Sequence, residues 1–148
     1  MSCVGATSLT KLTGGRIMIN TKDNKKNFIN FSNHPSSGWG NKQRAAALEL
    51  GTEIIDIPFP QVDPMATSEE IDALVKECVE KIMTHNPSTV MCQGEFRVAC
   101  RTGIALKELG VLPVVGTTVR RSVESVDPTT GEVTKKLVFN FEKFASLL

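Results

Sequence analysis

Apolar side chains recur at Ile71, Leu74, Val75, Cys78, Val79, Ile82 and Met83, the three-and-four rhythm of a helix with one buried stripe. Thr67 stands three residues before Glu70, the spacing of a capping box. The pattern therefore predicts a helix that starts after Thr67 and stops at His85-Asn86-Pro87. Elsewhere the rhythm differs. FINFS (28–32), EIIDIPF (53–59), STVMC (88–92) and VLPVVGTTV (111–119) are short, β-branched or continuously apolar runs bounded by turn residues, and they read as strands. Residues 40–50, with Gln43, Arg44 and three alanines before Gly51, read as a helix, as do residues 96–109 before Gly110. After residue 119 the period changes again. RRSVESVD and TKKLVFNFEKF flank DPTTGE and predict a β-hairpin.

The order β-α-β-α-β-α-β followed by a hairpin implies an α/β protein: a mostly parallel sheet flanked by helices, with a C-terminal β-hairpin. A single domain is expected over 27–148. Residues 1–26 lack periodicity apart from RIMIN and are expected to form an irregular leader. A chain of 148 residues is long enough to bury one real core. The net charge of +1 argues against a duplex nucleic-acid coat or a membrane-surface protein. No apolar run approaches the roughly 20 residues of a membrane span, and the N-terminus lacks the order of a signal peptide. A cytoplasmic protein is expected.

Helix N-termini and the carboxyl ends of strands meet at one rim of an open parallel sheet, and that is where ligands bind. The residues expected there are distinctly polar. Ser32, Asn33, His34, Ser36, Ser37 and Trp39 follow the first strand, and Phe59 and Gln61 follow the second. Gln93, Gly94, Glu95 and Arg97 follow the third. Thr117, Thr118, Arg120 and Arg121 lie at the end of the fourth. Bland roles compete with functional ones at each position. Ser32, Asn33, Ser36 and Ser37 suit helix caps as well as ligand contacts. Glu95 suits a first helical turn as well as acid–base work, and Trp39 suits a core anchor as well as a stacking platform. His34 on this Ser-rich turn suits a proton donor, whereas His85 suits a helix C-terminus. The arginines would hold phosphates if they converge on the rim.

Other chemistries lack their motifs. There is no phosphate loop of the G-x-x-x-x-G-K-[ST] type, no G-x-G-x-x-G fingerprint and no G-x-S-x-G elbow. Cys3, Cys78, Cys92 and Cys100 show no paired spacing and read as free thiols. With two distant histidines, no metal and no cofactor are expected.

The stretch NFSNHPSSGW resembles the strand and Asn/Arg-His-Pro-Ser/Gly turn, with a nearby Trp, of small CRISPR-associated proteins with Rossmann-like CARF folds. These include the stand-alone ring nucleases. The resemblance covers that strand-turn-helix and the β/α order of residues 27–120. It implies a homodimer that binds a cyclic oligoadenylate, often the tetramer, across its two-fold axis. It further implies metal-independent cleavage by a ribose 2′-hydroxyl. On this resemblance His34, Ser36 and Ser37 would meet the ligand, with His34, Ser37 and Glu95 as the expected catalytic residues. Glu95, Gln93 and Thr117 match by place in the fold alone. The remaining expected contacts are Ser32, Asn33, Trp39, Gly94, Arg97, Thr118 and Arg120. The hairpin and the leader exceed the shortest members of that family. Three other readings stand beside it: a nucleotide sensor or sink that does not cleave, a nucleoside-processing enzyme built on Glu95, and an interaction protein whose rim only caps helices.

Overall fold

The computed structural model describes residues 25–148. The elements are β1 (Asn27–Ser32), α1 (Asn41–Leu50), β2 (Ile54–Pro58), α2 (Ser68–Met83), β3 (Pro87–Cys92), α3 (Phe96–Glu108), β4 (Leu112–Val126) and β5 (Val133–Ser146), with a 3₁₀ turn at Ser36–Gly38. The expected leader lies outside the described residues except for Lys25 and Lys26. The capping box of α2 is closed from both sides: Thr67 Oγ1 accepts from Glu70 N at 3.1 Å, and Glu70 Oε1 accepts from Thr67 N at 2.8 Å.

One five-stranded sheet runs β2-β1-β3-β4-β5. Strands β1 to β4 are parallel, and β5 returns antiparallel to β4. The chain leaves β1 toward β2 and later crosses back to β3, so right-handed connections place α1 on one face and α2 with α3 on the other. Two apolar clusters follow. Ile29 and Phe31 point into the larger one with Ile71, Val75, Ile82, Val98 and Leu106 from α2 and α3. Phe28, on the alternate register, joins Ala47 of α1, Met91 and Val114, with Trp39 and Phe144 packed against them. Being covered on both faces, β1 is almost wholly buried, and its apolar run is broken only by the buried Asn30 and Ser32. Among the described residues no helix is long and apolar enough to cross a membrane.

The C-terminal hairpin is present, but it is longer than its sequence pattern. The expected fourth strand (111–119) and the first arm of the hairpin are one uninterrupted strand, Leu112–Val126. The pattern changes near residue 118 because the helices stop covering the strand there, and its side chains become exposed without any break in the backbone. The register also slips once. Thr117 pairs with Lys143 and Thr118 with Phe141, leaving Glu142 as a bulge. The extra residue turns Phe141 onto the same face as Phe144, with ring centroids 4.9 Å apart.

Candidate functional site

Because the chain departs in opposite directions from β1 and β3, the loops after these neighbouring strands diverge and leave a crevice at their carboxyl ends. A cleft of about 160 Å³ occupies that position on the α1 face. Its lining residues are His34, Trp39, Gln43, Met91, Gln93, Gly116, Thr118 and Phe141.

The loop carrying His34 is shaped from beneath. Asn30 and Ser32 are polar residues in an apolar strand, 1% and 5% exposed, and each is satisfied. Asn30 Nδ2 donates to the His34 carbonyl at 2.9 Å and to Asp56 Oδ1 at 3.0 Å. Ser32 Oγ donates to Asn30 Oδ1 at 2.7 Å and accepts from His34 N at 3.2 Å. Asp56, directly across from Asn30 on β2, accepts from Ser36 N at 3.1 Å and holds the start of the 3₁₀ turn. Arg44 donates to the Ser36 carbonyl from the other side. A charged acceptor bonded to a backbone N–H is among the stronger local anchors. The Asp56 carboxylate thus fastens the start of that turn, and Ser32 acts as a support for the loop. Asn33, His34 and Ser37 lie exposed on it, with Ser36 half-buried.

Gln93 forms the opposite wall. Its backbone N–H donates to the Phe31 carbonyl at 3.2 Å, and its Oε1 accepts from Gly116 N at 2.6 Å, extending the β3–β4 pairing past the end of β3. A side chain on Gly116 would place its Cβ 3.1 Å from that oxygen and 3.6 Å from the Phe141 ring, narrowing the cleft. Trp39 contributes an aromatic wall and is anchored by edge-on contact with Phe28, centroids 6.1 Å apart at 83°. It serves the core and the cleft together. Helix α1 follows Gly40, which supplies no side-chain cap, and has no acidic residue in its first turn, so its N-terminal N–H groups stay available beside Gln43.

Glu95 and Arg97 fall on the other face of the rim, above α2 and α3. Glu95 caps α3 by accepting from Val98 N at 3.1 Å, and it accepts from Arg97 Nε at 2.6 Å. Burial pushes its carboxyl upward, but the hydrogen bonds from Val98 and Arg97 outweigh that and hold it below the usual carboxylate range. Arg97 also reaches the Ala66 and Asp63 carbonyls, fixing the loop before α2. Gly94 is a close approach, since a Cβ there would lie 2.6 Å from the Phe59 ring. Thr117 faces away from the cleft and bonds to Lys143 on β5, whereas Thr118 faces into it. Arg120 lies two residues beyond Thr118 on the same face, exposed on the hairpin. His34 and Glu95 are therefore not brought together.

A larger hollow of about 290 Å³ lies between the end of β2 and α2, lined mainly by apolar groups such as Phe31, Ile57, Phe59 and Leu74. Cys78 borders it, and burial pushes its thiol up. The buried Cys92 thiol is pushed up to about 12, foremost by burial, so neither is poised as a nucleophile.

Sequence reasoning missed Asn30, Gln43, Asp56, Met91, Gly116 and Phe141. Asn30 and Asp56 carried a readable signal, each interrupting an apolar strand. The inward turn of Phe141 depends on a bulge that no local pattern announces.

A doubly wound α/β sheet with a polar cleft at its switch point defines the class. Residues 26–145 match the model of the Uncharacterized protein MJ1673 family, and the chain belongs to that family. No curated protein matches the chain. No solved structure matches it either.

Proposed function

We propose that the cleft at the ends of β1 and β3 binds a cyclic oligoadenylate, and that the protein cleaves it. The observation that carries this reading is convergence at the switch point. Trp39 and Phe141 offer ring walls, Gln43, Gln93 and Thr118 offer polar groups, α1 offers an uncapped N-terminus, and His34 stands at the mouth. A base would stack on the rings, and a phosphate would take the helix N–H groups. At about 160 Å³ the cleft suits one nucleotide unit rather than a whole ring. A two-fold homodimer would therefore share a cyclic ligand, each copy seating part of it. A cytoplasmic setting and a role in CRISPR-linked antiviral defence belong to the same proposal.

In the proposed reaction a ribose 2′-oxygen bonds to the adjacent phosphorus and the bond to the 5′-oxygen breaks. A proton leaves the 2′-hydroxyl, and another is delivered to the departing 5′-oxygen. The products are a 2′,3′-cyclic phosphate and a 5′-hydroxyl. The substrate supplies the nucleophile, so the protein's task is in-line placement and charge stabilisation. His34 is the group assigned to proton transfer, with Ser37 beside it on the loop.

One observation favours a second reading, binding without cleavage. Among the described residues the His34 imidazole has no hydrogen-bond partner to fix its tautomer, which a general base ordinarily has. A nucleoside-processing role built on Glu95 draws less support, because that carboxylate is committed to Val98 and Arg97.

Incubation of the protein with cyclic tri-, tetra- and hexa-adenylate, with products resolved by chromatography, separates these readings. Cleavage is expected for one ring size and should fall by about 10²-fold or more in His34→Ala. Binding with unchanged ligand would select the sensor, and neither binding nor cleavage would overturn the proposal.

A further inference from the structure

Gln93 is half-buried in the wall of the cleft, and only one end of its side chain is engaged. Its Oε1 accepts from Gly116 N at 2.6 Å. A backbone N–H can only donate, so that contact belongs to the amide oxygen and leaves Nε2 free of it. Among the described residues Nε2 has no hydrogen-bond partner, yet the buried side-chain polar atoms that lack one are Asn27 Oδ1 and Thr102 Oγ1 alone. The Gln93 amide nitrogen is therefore open to solvent, and the cleft is the open space that Gln93 borders. Gln43 and Thr118, also in the lining, have no such anchor among the described residues and turn to offer either a donor or an acceptor. Gln93 is set as a donor.

Gly116 points the same way. It lies inside β4, and its φ is not in the left-handed region that favours glycine. A glycine inside a strand weakens it and often marks a close approach. A Cβ there would stand 3.1 Å from Gln93 Oε1, tighter than an ordinary contact, so the missing side chain leaves the Gln93 amide its place.

We infer that Gln93 selects the base in this cleft: its Nε2 donates to an unprotonated ring nitrogen of a base lying against Trp39 or Phe141. The inference rests on the nucleotide reading above and assigns a contact which that reading leaves open. Adenine carries such nitrogens at N1, N3 and N7. The bond from Gly116 polarises the amide and strengthens Nε2 as a donor. Because the amide is already held, little side-chain freedom is lost on binding. A base that brings C–H or N–H to this point leaves the donor unpaired. A site built to hydrogen-bond one group rejects the analogue that lacks it.

Calorimetric titration of the full chain with adenosine 5′-monophosphate and its 1-, 3- and 7-deaza forms is the test. Each deaza form has C–H in place of one ring nitrogen. The wild type is expected to bind one of them about tenfold or more weakly than the parent. Gln93→Glu keeps an oxygen for Gly116 N but has no donor, so it should bind that form and the parent alike. The added charge weakens the hold on any phosphate, so the lost discrimination is the decisive result. Equal binding of all four by the wild type, or discrimination that persists in Gln93→Glu, would overturn the inference. If Gln93→Glu does not fold, the side-chain amide resonance of Gln93 in labelled wild type decides. It should move with the parent and barely move with the discriminated form, and equal shifts would count against the inference. Absence of binding by the monophosphate at millimolar concentration also overturns it. Only if cyclic tetra-adenylate fails to bind as well does the nucleotide reading fall with it.

Discussion

Asp56 shows how much one side chain does here. It receives the Ser36 N–H and the Asn30 amide, so it sets the loop on which His34 and Ser37 stand. Asp56→Ala should therefore lower stability by about 0.5–1.5 kcal/mol through the lost hydrogen bonds, whose exposed donors water can partly satisfy, and weaken binding at the proposed site as well. Urea denaturation and calorimetric titration measure the two effects separately. Asp56→Asn, which keeps an acceptor, should recover part of each. Glu95 has a different signature. Its folded pKa lies below its ordinary value of 4.5, so its contribution to stability is present above that value and is lost as pH falls through the folded one. Melting temperatures measured from pH 7 to pH 3 should show a steeper acid loss in wild type than in Glu95→Gln.

At the scale of elements, legibility tracked burial. The capping box and apolar stripe of α2 were readable because local chemistry and packing agree there. The buried strands were readable because two covered faces demand continuous apolar runs. The length of β4 was not, since its outer half has no helix above it and lost the pattern while keeping its backbone pairing. At the rim, the loop after β1 was recognisable from its polar crowding, but its division of labour was hidden. Ser32 supports the loop from beneath, Glu95 and Arg97 fasten α3 to the loop before α2, and Thr117 and Thr118 face opposite ways. These assignments depend on pairing between distant strands. Gly94 makes one of them testable. A methyl there would meet the Phe59 ring, so Gly94→Ala should cost about 1–3 kcal/mol, whereas Gly94→Ala combined with Phe59→Leu should cost less than the sum of the two single changes. Chemical denaturation of the four proteins checks it.

On the scale of the whole molecule, the sheet brings residues far apart in sequence to one crevice, and the bulge at Glu142 turns Phe141 into its wall. The proposed nucleotide site is this switch point, on the α1 face of the sheet. A titration of isotopically labelled protein with cyclic tetra-adenylate, followed by amide chemical shifts, tests it most directly. The largest shifts are expected at His34, Trp39, Gln43, Gln93, Gly116 and Thr118, with small ones at Glu95, Arg97 and the hollow beside α2. Shifts centred on Glu95 and Arg97, or none at millimolar ligand, would contradict it.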